Sequence, residues 1–343
     1  LFRFLPVAQE IEGTFRHYST EDGLSYDGVL CMEQDREGFM WFGTWDGLNR
    51  FDGNNFVTYK ARPGDKSILK NNKIKDIQED KAGYLWVTTY DSKAYRFDKK
   101  AESFWAINKA SSGESLESAR VEKVQITDEG DVWLITEDQG LICAVYNKEF
   151  RDVNVYTFST KNGLLPSDRV SFLLDDGQGK IWVGTDNGLT ALAKSGSSYR
   201  QAIRFANGNS VFGNFPFSCA ASSQGKLYFG AGNGRMFIYE NQSFKISKLD
   251  KKVNIHAIKA TKAGRIYLST DAGLYEYDLL KRQTQHIPSS AKANLRSIYE
   301  DKKGNLWIEP AYEGIIHYSP QEQYFQHFRH NREKQLPEVF DAQ

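Results

Sequence analysis

The sequence predicts an all-β protein, a seven-bladed β-propeller of four-stranded antiparallel blades, and three observations carry that expectation. One motif recurs seven times, and repeats with periods of about 20 to 50 residues are the mark of propellers and solenoids. Its aromatic anchors, Trp41, Trp86, Trp133, Trp182, Tyr228, Tyr267 and Trp307, lie 45, 47, 49, 46, 39 and 40 residues apart, room for four short strands each. Finally, 28 Gly and the aromatics (22 Phe, 18 Tyr, 7 Trp), with few sustained Ala/Leu/Glu/Lys stretches, favour strands and tight turns over helices.

Each unit reads in the same order along the chain. An apolar run such as Ile74 to Ile77 or Val170 to Leu174 is expected as the innermost strand, buried on both faces. A polar Asp-x-x-Gly turn follows, with Gly38, Gly83, Gly130, Gly179, Gly225, Gly264 and Gly304 placed where the turn needs positive φ. The second strand then carries the anchor aromatic, large enough to fill the wedge between neighbouring sheets. A Gly-Leu turn (Gly47-Leu48, Gly188-Leu189, Gly273-Leu274) opens the third strand, and alternating aromatics such as Phe56 and Tyr59 mark the fourth. Seven such blades closed in a ring leave no long edge exposed.

The ring spans residues 1–328, and two segments compete to close it: Phe15 to Tyr18 and Tyr324 to Phe328. The N-terminal one is expected to complete blade seven, because pairing the start of the chain with its last blade fastens the ring. Beyond it, residues 329–343 hold Leu336-Pro-Glu-Val339, which resembles the lead-in Leu165 to Val170. They are expected to begin a further repeat or to link to a second propeller, making the chain part of a longer protein. The absence of Met and of a leader at Leu1 suits a cut fragment or a removed signal peptide.

Composition narrows the partners. Forty-four Lys+Arg against 44 Asp+Glu leave a formal net charge of zero, so no overall field draws the chain to nucleic acid or anionic lipid. No apolar run reaches the roughly 18 residues of a membrane span. Cys31, Cys143 and Cys219 are too far apart for a metal or redox motif and read as buried, inert thiols. No G-x-S-x-G, Walker, H-E-x-x-H or C-x-x-C pattern occurs; the six His are scattered and are expected in structural or surface roles. The Gly-rich Gly230 to Gly234 has no helix pattern after it and reads as a turn, not a phosphate cradle. No catalytic residue, metal or cofactor is expected.

The segments Phe15 to Ser25 and Asp35 to Asp52, F-x-H-Y-x-x-x-x-G-L-S followed by D-x-x-G-x-x-W-x-G-T-x-x-G-L-x-R-F-D, resemble the two-component regulator propeller repeat. Seven copies span about Phe15 to Tyr318. The resemblance implies the periplasmic sensor region of a Bacteroides-type hybrid histidine kinase, in which two propellers precede a β-sandwich, a membrane helix and the kinase. It implies an oligosaccharide ligand, a homodimer in the full-length form, and contact with the membrane only through that helix. Blade two departs from the pattern with Asp91-Ser-Lys93 where Asp-Gly-Leu is expected, and blade seven with Glu309-Pro310 for Gly-Thr.

Ligand residues are sought in loops, here the two sets that emerge on one face around the channel. The loops between strands two and three bring Trp45 and Asp46, Tyr90, and Tyr312, on blades one, two and seven, which adjoin once the ring closes. Exposed rings stack on sugar faces while nearby carboxylates and amides bond hydroxyls; packing between loops is the plainer role. The loops leading into inner strands bring Asp27, Asn72, Arg120, Asp168, Arg169, Asn214, Asn254 and Asn294 to the channel mouth. Among them Arg120 and Arg169 are suited to gripping a sulfate or uronate, or else pair with Glu122 or Asp168. The resemblance implies a sensor module, with a protein-interaction scaffold, or a propeller lyase or glycosidase, as alternatives.

Overall fold

The structure, a computed structural model, describes residues 13–61, 69–107, 119–146, 153–195, 198–206, 216–249, 253–287 and 294–320. These form seven four-stranded antiparallel sheets, and among them the single helical element is one 3-10 turn, Thr20–Asp22. Blade one shows the plan: Val29–Gln34, Met40–Thr44, Gly47–Phe51 and Phe56–Tyr59 pair in chain order. Inner strands of successive blades lie against one another around the ring, except between blades three and four, where the inner strand of blade four lies against the second strand of blade three.

Blade seven takes its outer strand from the other end of the chain. Gly13–Tyr18 pairs antiparallel with Ile315–Pro320, Phe15 opposite Tyr318 and His17 opposite Ile316. The Phe15 and Tyr318 rings stack at 4.6 Å, and Tyr18 lies 5.8 Å from Trp307, inside the seam between blades seven and one. The N-terminal segment thus closes the ring as expected; Tyr324 to Phe328 lie outside the described residues.

All seven anchor aromatics are buried, at most 4% exposed, and each packs into the next blade. Trp41 of blade one, for instance, joins Ile74, Ile77 and Phe97 of blade two, and the other six repeat the arrangement up to Trp307, which packs on Phe42 and Phe51 of blade one. The turn aspartate does more than shape its turn. Its carboxylate also accepts the anchor's indole N–H: Trp41 to Asp35 at 2.8 Å, Trp86 to Asp80 at 3.0 Å, Trp182 to Asp176 at 3.2 Å and Trp307 to Asp301 at 3.1 Å. Where the anchor is Tyr228 or Tyr267, with no indole, the same position holds Ser222 or Thr261. Blade three breaks the pairing: Thr127 stands there, and Trp133 Nε1 has no hydrogen-bond partner among the described residues. The turn glycines take positive φ, as at Gly38 (98°) and Gly83 (90°).

One expectation is corrected. The inner strands are not buried on both faces: in Ile74–Glu79 only Ile74 and Ile77 are buried, and the residues between them are half-buried. The strand buried along its whole length is the second, as in Leu85–Thr89. The inner strand borders a wet channel on one side, whereas the second has a neighbouring blade against each face. The three thiols are buried as expected, and burial pushes their pKa values up, that of Cys219 to about 11. Gly230 to Gly234 ends a strand in a turn, as expected.

A feature invisible in the sequence recurs in every blade. Each inner strand carries a β-bulge directly after its first residue, leaving Leu30, Lys75, Glu122, Ser171, Ser218, His256 and Arg296 unpaired across the ladder. Bulges re-aim side chains at the rims of closed sheets. Here the rim is the channel mouth.

Candidate functional site

Backbone hydrogen bonds lock the two loop sets of the mouth together. Trp45 N–H donates to the Gly28 carbonyl (3.1 Å), Tyr90 N–H to Lys73 (2.9 Å) and Glu137 N–H to Arg120 (2.9 Å), each within one blade. Gly47 N–H reaches across to Asn72 of the next blade (2.8 Å), and Gly314 N–H to Asp27 (2.9 Å), so the face is one connected surface.

Several polar residues expected at the mouth are engaged locally. Asp27 accepts Thr20 N–H (2.7 Å) and the Thr20 hydroxyl (3.3 Å), and Asp168 accepts the same two groups of Thr160 (2.6 and 2.7 Å). Asn72 accepts Ala61 N–H at 2.7 Å, Asp46 pairs with Lys60 at 2.6 Å, and Asn254 bonds Asp271. Thr20, Thr160 and Ala61 lie just after the outer strand of the preceding blade, so their bonds fold each lead-in segment back on itself, whereas Asn254 and Asp271 belong to one blade. Asn214 lies outside the described residues.

The three aromatics come together: Trp45 lies 6.2 Å from Tyr90 and 6.1 Å from Tyr312, ring centre to ring centre. Tyr90 and Tyr312 are more than half exposed, whereas Trp45 is half-buried between them. Cations cover part of this arc: Lys73 Nζ stands 4.5 Å from the Trp45 ring and 4.8 Å from Tyr90, and the Arg296 guanidinium 4.5 Å from Tyr312. Tyr312 also holds φ at 62°, a left-handed conformation that costs a bulky residue about 1–2 kcal/mol.

Beside the arc, on blades two to five, the channel mouth opens into a cavity of about 710 Å³ whose wall includes Tyr90, Arg120 and Arg169. Small-ligand pockets fall in this size range. The bulged Lys75, Glu122, Ser171 and Ser218 complete the wall. Sequence reading missed these four because the bulge is a backbone event with no residue pattern of its own: the same position is Lys75 in blade two and the apolar Leu30 in blade one. Blade two's departure also serves the cavity: Ser92, in place of glycine, takes φ 59°, lines the wall and donates to Glu122 at 3.3 Å.

Electrostatics divide the mouth. Lys75 pairs with Glu122, and Arg120 with Glu137 and, at 3.7 Å, Asp138, not with Glu122 or Asp168 as one expectation had it. Away from the cavity wall, burial pushes two carboxyls up, Asp76 of blade two to about 6 and Glu309 of blade seven to about 7. Glu309 replaces the glycine that in blade one is Gly43, where a Cβ would collide with Cys31 Sγ. Blade seven accommodates the larger residue by placing Ser297 opposite it, whose hydroxyl donates to the carboxylate at 2.7 Å. The departure is a compensated exchange.

The two-component regulator propeller model matches residues 23–46, 68–91 and 164–187, which are the lead-in loop and first two strands of blades one, two and four. Three of the seven repeats are thus similar to that model. A stretch of 72 residues, 20% of the chain, is 42% identical to histidine kinase P4 of Formosa agariphila and covers 5% of its length. The extracellular domain of a putative hybrid two component system of B. thetaiotaomicron superposes with a TM-score of 0.72 at 22% identity, over 90% of this chain and 42% of that one. The virginiamycin B lyase of Staphylococcus aureus matches at 0.68 and 12% identity, over 90% of this chain and 99% of its own. At those identities the structural likeness is one of fold. The chain spans less than half the length of the two-component relatives it matches.

Proposed function

We propose that this propeller is a non-catalytic, extracytoplasmic sensor module of a hybrid two-component system. It detects a polysaccharide-derived oligosaccharide at the channel mouth and signals to a membrane-anchored histidine kinase. The observation that carries the reading is the open cavity on blades two to five, where an exposed tyrosine, Tyr90, stands over a wall of paired charges and hydroxyls. That mixture of one stacking surface and several fixed polar groups suits a sugar. The match of three repeats to the two-component regulator propeller model, and relatives described as a histidine kinase and as an extracellular two-component domain, support the sensor role. A periplasmic location, a second propeller and β-sandwich in the same polypeptide, and a homodimer belong to the same reading.

The aromatic arc favours a second use for the neighbouring rim. Lys73 and Arg296 already stand over its rings, so the arc suits contact with a protein surface, such as an adjoining domain, better than sugar stacking. Titration calorimetry of the chain against neutral and acidic oligosaccharides tests both uses. Tyr90→Ala is expected to weaken binding several-fold with Tm unchanged, because aromatic contacts contribute on the order of 1 kcal/mol beyond area burial. Binding that is indifferent to Tyr90 and to Arg120 overturns the cavity as the ligand site.

A further inference from the structure

The charges on the cavity wall say which sugars would fit, given the reading of that cavity as the ligand site. Lys75 and Arg120 already have counter-ions in Glu122 and Glu137. Arg169 does not: among the described residues its exposed guanidinium has no hydrogen bond and no ion pair, although it stands on the wall. The neighbouring carboxylate, Asp168, is committed to the N–H and hydroxyl of Thr160. The remaining wall carboxylate, Asp186, sits on the loop whose N–H bonds the Arg169 carbonyl at 3.3 Å, yet its side chain forms no ion pair with that guanidinium.

A second cation reaches the same rim from blade three. Lys123 lines the cavity and donates to the Ser171 carbonyl at 3.4 Å, two residues along from Arg169. The carboxyl it interacts with, Asp76, accepts Val124 N–H at 2.8 Å, which ties it to the seam between blades two and three. The blade four side of the cavity therefore carries positive charge without a dedicated partner, and a guanidinium so placed matches a planar oxyanion in a bidentate fork.

We propose that the cavity takes an acidic oligosaccharide, with one carboxylate or sulfate seated on Arg169, Lys123 beside it, and a sugar ring against Tyr90. Uronates and sulfate esters share the oxyanion chemistry, and separate probes distinguish them. Calorimetry of the 343-residue chain with tetragalacturonate, a sulfated galactan tetrasaccharide, a neutral panel (cello-, xylo- and mannotetraose) and inorganic sulfate provides the test. One acidic probe is expected to bind at least about tenfold more tightly than every neutral one, and the affinity to fall with salt. Arg169→Gln is expected to remove about tenfold or more of that affinity, and Lys123→Gln several-fold, with Tm retained because both side chains are exposed. Neutral sugars binding as well as acidic ones, or an Arg169→Gln protein that binds the acidic probe unchanged, overturns the acidic class and leaves the sugar site standing. Inorganic sulfate binding as tightly as the oligosaccharides reduces the site to a simple ion site and overturns the proposal. No binding by any sugar overturns the sensor reading, and this inference with it.

Discussion

The seams between blades and the mouth of the channel are built from the same seven repeats, yet they obey different rules. At the seams every blade repeats itself: one large ring, at most 4% exposed, packed into the next blade. At the mouth the blades differ, with aromatics on blades seven, one and two and a charged cavity on blades two to five. The wedge between two radiating sheets has the same shape seven times and demands the same volume, whereas a loop is constrained only by its two ends. Repetition therefore marks packing here, and departure from it marks surface open to other uses.

Deleting a seam tests that contrast hardest. Trp182→Ala is expected to cost about 3 to 5 kcal/mol in denaturant unfolding, as large aromatic truncations do; a loss below about 1 kcal/mol would show that the ring does not fill the wedge. Removal of residues 1 to 20 strips the closing strand from blade seven and uncovers Trp307. It is expected to lower the stability of the whole ring in a single transition, because Ile315–Pro320 becomes an open edge.

A finer comparison lies within the seams. Trp86→Phe leaves Asp80 with one fewer donor, whereas Trp133→Phe removes an indole N–H that bonds nothing. The first is expected to cost about 1 kcal/mol more than the second, the net value of one hydrogen bond. Equal costs in matched unfolding curves would mean that the aspartate serves its turn alone.

The exchanged residue of blade seven has its own signature in pH. Burial raises the Glu309 carboxyl from its ordinary 4.5 to about 7. Between those values the folded state holds a proton that the unfolded state has released, so this group's contribution is complete below about pH 4.5 and is lost as pH rises to about 7. Glu309→Gln removes the loss. The variant is expected to gain on the wild type as pH rises from 5 to 8 in Tm measurements; a constant offset between the two would place the titration elsewhere.

Much of this architecture was legible in the chain because propeller blades are local. All four strands of blades one to six, the turn glycines and the seven anchors follow from runs of about 45 residues that fold on themselves. Even closure was readable, since Phe15 to Tyr18 looks like an outer strand with nothing before it. Trp45, Tyr90 and Tyr312 were found together by aligning loops across blades, a consequence of ring order.

Other features depend on contacts that no single repeat contains. The bulge aims Lys75, Glu122, Ser171 and Ser218 into the mouth, and it is a backbone irregularity tolerated at a rim rather than a residue pattern. Whether an arginine is free depends on which carboxylate the neighbouring loops leave to it: Arg120 finds Glu137, while Asp168 is taken from Arg169 by Thr160. The wet inner face of the channel exists only once seven blades surround it, which is why apolar-looking inner strands proved half-buried. The sequence alone determined the repeat, the anchors and the order of the ring, because those rest on short-range pattern and volume. Tertiary structure alone decided which charges are neutralised, because pairing at the mouth is settled between blades.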